Sequence, residues 1–214
     1  MSNPQPASGS SFHRPTQHGD VDKKLVAGLE RLGNVLRVLL QNAASAHGLS
    51  PIQIRMLIDL RFRAPSGRRV GDLAETFGLT PPTVSDALRT LADKGLVAKE
   101  PDPADRRARI VRLTTDGRDV ADALSTWAAP IREHLDDVAD QRKTVTLNTI
   151  MDLIASLEAA GLVSRTRMCK TCRFFAPDAH VDAGAPHHCR LLDVPLRPGD
   201  LRMDCPEHEQ SEAT

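Results

Sequence analysis

The chain has 214 residues, 40% of them hydrophobic and 26% charged, with 28 basic side chains against 28 acidic ones. This is the make-up of a soluble globular protein, and no apolar run approaches the roughly 18 residues of a membrane span. A net charge of zero argues against a nucleic-acid partner, but the charge is unevenly spread. Residues 47–115 carry twelve Lys and Arg against eight Asp and Glu, while residues 116–163 carry four against nine. Binding responds to such local patches rather than to the total.

Residues 1–21 are polar and rich in Pro, Ser and Gly, with no apolar core of a signal peptide. They are expected to form a disordered lead-in, and the chain is expected in the cytoplasm. In that reducing compartment cysteines more often bind metal or sense redox state than form structural disulfides.

From Asp22 the pattern turns helical, with Leu25, Leu29, Leu32, Leu36, Leu39 and Leu40 forming one apolar stripe that Gly48 ends. A second helix starts at "SPIQIRMLIDL", with Ser50 as N-cap and Pro51 at the first helical position. After "RAPSG" come two short helices. Val70, Leu73, Ala74 and Phe77 form the buried face of the first, which closes at Gly78. Thr80 caps the second, which buries Val84, Ala87, Leu88 and Leu91 and ends at Gly95. Thr83, Ser85, Asp86 and Arg89 then point outward.

Two strand-like runs, Leu96–Glu100 and Ala108–Leu113, flank a polar turn and predict a hairpin with Arg106, Arg107 and Arg109 at its tip. A helix is expected over Thr115–Asp140 and another over Thr146–Ala160, ended by Gly161. Leu147, Ile150, Met151, Ile154 and Leu157 fall at helical spacing in the latter.

Two helices around a glycine turn, followed by a hairpin, is the order of a winged helix-turn-helix. Its second helix suits the major groove. Its N-terminus favours phosphate, and long guanidinium groups on a narrow ribbon suit the minor groove. Taken alone, a helix pair with a glycine turn is commonplace, and arginines in a turn are usually a solvated surface. The combination is more specific than either part.

The stretch "LTPPTVSDALRTLADKGLVAKEPDPADRRARIVRLTTDG" resembles the MarR family of bacterial transcription regulators. The motifs that carry the resemblance are L-x-x-x-G-L-V at Leu91–Val97, D-x-R at Asp105 and Arg107, and L-T-x-x-G at Leu113–Gly117. The resemblance covers about residues 22–161. It implies a mostly α fold with a small β-hairpin wing, and a homodimer joined by its first and last helices. The leucine stripes at each end are suitable surfaces, although each could equally serve the chain's own core. It further implies a sequence-specific DNA-binding regulator, read as a repressor, on a pseudo-palindromic double-stranded operator, with a small-molecule effector as a candidate partner and no enzymatic role. Arg107 would enter the minor groove, braced by Asp105 through a charge-assisted hydrogen bond. Thr80, Pro82, Thr83, Ser85, Asp86 and Arg89 complete the candidate DNA-facing set with Arg106 and Arg109. Asp86 stands where many relatives carry a basic residue, and Arg89, one turn later, is placed to supply the missing charge.

All four cysteines fall after residue 168: Cys169, Cys172, Cys189 and Cys205. Residues 22–163 therefore read as the winged-helix and dimerisation part, and residues 164–214 as a small cysteine-rich module. Cys169-Lys-Thr-Cys172 has knuckle spacing, and four thiolates suit tetrahedral zinc. The second pair is not a C-x-x-C, so the zinc-ribbon pattern is only half regular. An iron–sulfur cluster, favoured by Cys205-Pro206, and a metal-free thiol switch are the alternatives. His208, three residues after Cys205, has the spacing to replace one thiolate. With so small an apolar core, the segment is expected to need a metal or crosslink to fold. If the tail senses metal or redox state, its occupancy would set DNA affinity. A docking module for a partner protein is a further reading. An enzyme is the weakest, because a catalytic zinc needs an open coordination position.

Overall fold

The computed structural model describes residues 20–102, 105, 108–181 and 184–211. Helix α1 runs over Val21–Ala46, capped by the Asp20 side chain on the Lys23 amide at 3.1 Å. Helix α2, Pro51–Phe62, carries a capping box: Ser50 N–H donates to Gln53 Oε1 at 2.8 Å, and Gln53 N–H to Ser50 Oγ at 3.4 Å. These bonds satisfy amides that the first turn leaves without helical partners. The Gln53 side chain also donates to the Ala87 carbonyl at 3.4 Å, which ties α2 to the helix after the turn.

Helix α3, Val70–Phe77, and helix α4, Pro81–Asp93, follow the expected bounds closely. Gly78 joins them with φ 62°, a left-handed conformation that costs glycine little. Leu73, Val84, Leu88 and Leu91 are fully buried in the core around which α2, α3 and α4 pack. Burying each such side chain contributes about 1.5–3 kcal/mol before entropy is counted.

Strands β2, Val97–Pro101, and β3, Arg109–Leu113, form the hairpin, with Val97 opposite Leu113 and Pro101 opposite Arg109. A short strand β1, Arg68–Arg69, was not legible in the sequence. It pairs antiparallel with β3 and completes a sheet in the order β1-β3-β2. Two residues are too few for an alternation pattern to register.

The helix expected over Thr115–Asp140 is instead two helices, α5 at Thr115–Leu124 and α6 at Ala129–Leu135. Pro130 lies at the start of α6, where its missing N–H is tolerated; within a continuous helix it would remove a ladder bond. Helix α7 spans Asp140–Ala159 and starts six residues before the expected Thr146.

Part of the α7 stripe serves the chain's own core. Met151 is fully buried against Met168 and Leu201 of the tail, with Leu147, Ile154, Phe175 and Leu196 packed around them. The tail itself forms a second antiparallel sheet in the order β4-β5-β6, from Phe175–Ala176, His187–Cys189 and Val194–Leu196. Asn148 and Lys170 reinforce the junction: the Asn148 amide donates to the Pro198 carbonyl at 2.9 Å, and Lys170 pairs with Asp152. No described helix is long and apolar enough to cross a membrane.

Candidate nucleic-acid interface and cysteine cavity

Thr80 caps α4: the Thr83 amide donates to its Oγ1 at 3.4 Å, and the two hydroxyls lie 2.9 Å apart. Thr80, Pro82, Thr83, Asp86 and Arg89 are exposed. Ser85 is half-buried, less open than the outward position expected for it. Arg89 pairs with Asp86 one turn earlier on the helix. The arginine expected to supply free positive charge is thus engaged by the aspartate beside it.

In the wing, Arg109 is exposed at the start of β3, and Asp105 is exposed in the turn. The Ala108 amide donates to the Asp105 carbonyl at 2.8 Å, and the Asp105 amide to the Asp102 carbonyl at 3.2 Å. Arg106 and Arg107 lie outside the described residues, and the expected Asp105–Arg107 brace lies there with them. Sequence reasoning missed a different anchor. Arg69, beside α3, donates from Nε to Asp102 Oδ2 at 2.7 Å, and Asp102 is buried. That pair fastens the end of the hairpin to the entry of the helix-turn-helix. Its only sequence signal was an acidic residue among the prolines of the turn.

Asp59 was also missed. It sits in α2 with no exposed surface, 2.8 Å from Arg68 Nε and 3.9 Å from Arg63 Nη1. These are ionic contacts, since neither carboxylate oxygen accepts an aligned hydrogen bond among the described residues. Burial pushes the Asp59 carboxyl above its usual range, Arg68 and Arg63 pull it down, and Asp204 adds to the upward push.

A cleft of about 580 Å³ opens between α1, α2 and the α3–α4 turn, lined by Leu36, Leu40, Ile52, Phe77, Trp127, Arg37 and Arg55 among others. The Arg55 guanidinium lies 5.2 Å from the Phe77 ring centroid. Trp127 forms part of this wall. The cleft draws on segments far apart in sequence, so no local motif announces it.

In the tail, Cys169, Cys172, Cys189 and Cys205 line one small cavity with Phe174, Phe175, Leu191, Leu192 and Leu196. The Arg202 amide donates to Cys169 Sγ at 3.2 Å. Burial pushes the Cys169 thiol up, partly offset by that amide, and the other three cysteines add to the rise. All four are free thiols. Among the described residues, no three His, Cys, Asp or Glu side chains are drawn into metal-holding geometry. His208 Nε2 lies 3.0 Å from the Thr171 hydroxyl, which engages it outside the cavity lining. His180 and His188 contact each other at 3.0 Å, and His188 lies 3.2 Å from Asp193.

Three helices, a glycine turn and a β-hairpin packed on one core define a winged helix-turn-helix protein. Residues 47–108 match the model of the MarR family. The chain is 29% identical over 140 residues to the HTH-type transcriptional repressor NicR of Pseudomonas putida, across 62% of this chain and 87% of that protein. It is 28% identical over 155 residues to the transcriptional activatory protein BadR of Rhodopseudomonas palustris, across 69% and 89%. Its fold resembles that of MepR of Staphylococcus aureus in complex with DNA, with a TM-score of 0.55 at 20% identity, over 62% of this chain and 97% of MepR. The winged-helix part of the chain is therefore similar to MarR-family regulators in sequence and has the same fold as the MepR structure.

Proposed function

We propose that this chain represses transcription as a cytoplasmic homodimer, with α4 in the major groove of a double-stranded operator and the wing in the adjacent minor groove. The observation that carries this reading is the exposed row of Thr80, Pro82 and Thr83 at the N-terminus of α4, on the same core as the hairpin that bears Arg109. Pro81 and Pro82 carry no N–H and the Thr83 amide is held by Thr80, so this end of α4 meets DNA through its short hydroxyl side chains, which reach base edges and phosphates without bulk. Residues 22–163 make up the DNA-binding and dimerisation part in this reading. Val21, Leu25, Leu29, Leu32 and Val35 of α1 each keep 42–64% of their surface exposed, an apolar face suited to a second copy. The reading assigns no catalytic role.

The cleft beside Trp127 suits an aromatic, negatively charged effector. Its walls are apolar, and Arg37 and Arg55 supply two cations near its rim. The relatives include a repressor and an activatory protein.

Residues 164–214 form a second unit whose four cysteines hold a structural zinc. The four thiols line one small cavity, which brings the candidate ligands to one place. The small core of Met151, Met168 and Leu201 gives the segment little else to hold it. A cluster that senses redox state is the second reading, and a brown chromophore with iron and sulfide would favour it.

The test is operator selection from random DNA with the purified chain, followed by anisotropy titrations across salt concentrations. Arg107→Ala is expected to weaken binding and lower the salt slope by about one. Unchanged binding would remove the wing from the reading.

A further inference from the structure

Three guanidinium groups from three elements line one small pocket at the base of the wing. Arg61 stands in the last turn of α2, Arg112 on β3 and Arg118 near the start of α5. With Leu60, Pro65 and Leu113 they enclose about 110 Å³. Every lining residue is thus cationic or apolar, and no carboxylate lines the pocket among the described residues. Sites for drug-sized ligands run to about 300–1,000 Å³, so this one suits a much smaller group.

Much of the hydrogen-bonding capacity of these groups is unspent. A guanidinium carries five N–H donors. Arg61 uses two on Asp122, from Nε to Oδ1 at 2.9 Å and from Nη2 to Oδ2 at 3.0 Å. Arg118 uses two on neutral oxygens, the Leu113 carbonyl and the Thr115 hydroxyl, both at 3.2 Å, and has no carboxylate partner among the described residues. Five less two leaves three donors on each. Arg112 makes an ionic contact from Nε to Glu100 Oε2 at 3.2 Å, yet that nitrogen is buried with no aligned acceptor. Asp122 and Glu100 therefore orient two of the cations from outside the pocket, and Asp119 draws on Arg61 more weakly, also from outside. The stem of Arg112 is fixed too. Gly67, at φ 92°, lies so close to β3 that a Cβ there would fall 2.8 Å from both Arg112 Cγ and the Val111 carbonyl oxygen.

We propose that this pocket binds a small tetrahedral oxyanion, free inorganic phosphate. Planar guanidinium forks match the spacing of phosphate oxygens and bind them through charge-assisted hydrogen bonds. Leu60, Pro65 and Leu113 keep water from part of the ion, which strengthens those bonds. The anion also offsets the mutual repulsion of three cations and supplies acceptors that the chain does not. Once bound, it ties α2, β3 and α5 together where the wing meets the helical core.

The test titrates the full chain with sodium phosphate, against sodium chloride at matched pH and ionic strength, by calorimetry and melting temperature. Wild type should show one saturable phosphate site per chain and a melting temperature that rises with occupancy. Arg118→Gln should weaken phosphate binding about tenfold or more, the usual cost of losing a charged hydrogen-bonding partner. Arg112→Gln should do the same, and serves if Arg118→Gln folds poorly. A response that does not saturate, or that is equal in wild type and both variants, would overturn the site. DNA is the other source of phosphate groups. No response to the free ion, with an operator salt slope lowered by about one in Arg118→Gln, would overturn the proposal and assign the pocket to the duplex backbone. The phosphate titration contains no DNA, so its outcome is independent of the reading of the chain as a regulator.

Discussion

Gly117 in α5 lies directly against the backbone of Leu96. A Cβ at Gly117 would fall inside the contact shell of the Leu96 carbonyl oxygen and 2.8 Å from its carbonyl carbon. The neighbouring Thr114 explains why the two meet. Its hydroxyl donates to the Gly95 carbonyl at 2.7 Å and accepts from the Gly117 amide at 3.0 Å, while its own amide donates to the Leu96 carbonyl at 3.1 Å. Leu113–Gly117 is thus a clamp that seats α5 on the base of the wing. Alanine is normally the better helix former by about 1 kcal/mol. Here Gly117→Ala should destabilise by about 1–3 kcal/mol, because backbone must move to admit the methyl group. Urea denaturation measures it, and a stabilised variant would show that α5 moves away from Leu96 to admit the methyl group without cost.

The elements with local signals were legible in the sequence. Ser50-Pro51, Gly78, Thr80 and Gly95 mark helix ends through capping and left-handed backbone, chemistry that acts within four residues. The break between α5 and α6 was misread because apolar spacing continues across it, although Pro130 stood there as a marker. The parts that depend on distant partners were not legible. β1 needs β3 some forty residues away, Asp59 needs Arg68, and Asp102 needs Arg69. The cysteine segment looked short of apolar residues because its core is completed by Met151 and Leu147 of α7.

Arg69 and Asp102 give a second prediction. Asp102 is buried and its partner half-exposed, so the pair both compensates a buried carboxylate and fixes the wing's position. Arg69→Ala should lower the melting temperature and loosen the hairpin. Hydrogen exchange at the Asp102 amide, which donates to the Ala108 carbonyl at 3.1 Å, should become faster. Protection equal to wild type would mean that the strand ladder holds the wing without help.

Asp59 gives a pH dependence of known sign. Burial raises its folded pKa above the ordinary 3.8 of an aspartate, so the folded chain keeps that proton to higher pH than the unfolded chain. Below 3.8 the group is protonated in both states. As pH rises from there through the raised folded pKa, unfolding releases a proton and the Asp59 contribution to stability falls. Asp59→Asn lacks this titration. The stability of wild type relative to Asp59→Asn should therefore decline over that window and then level off. Denaturant titrations from about pH 4 to pH 8 measure it; a difference that stays constant would mean that the two arginines fully offset the burial.

The Asp86–Arg89 pair bears on how tightly the chain holds DNA. Both side chains are well exposed, 69% and 64%, so the pair contributes little to stability. Its effect is electrostatic: the carboxylate cancels a guanidinium on the face of α4 that meets phosphate in the proposed mode. Asp86→Ala should free Arg89 for a phosphate contact, increasing affinity for non-specific duplex and steepening the logarithmic salt slope by about one. Affinity for the selected operator should rise less, or fall if Asp86 accepts from a cytosine amino group. Anisotropy titrations on selected and scrambled duplexes across salt separate the two effects. An unchanged slope on both would mean that Arg89 faces away from the phosphates, and that α4 enters the groove turned about its axis from the orientation proposed.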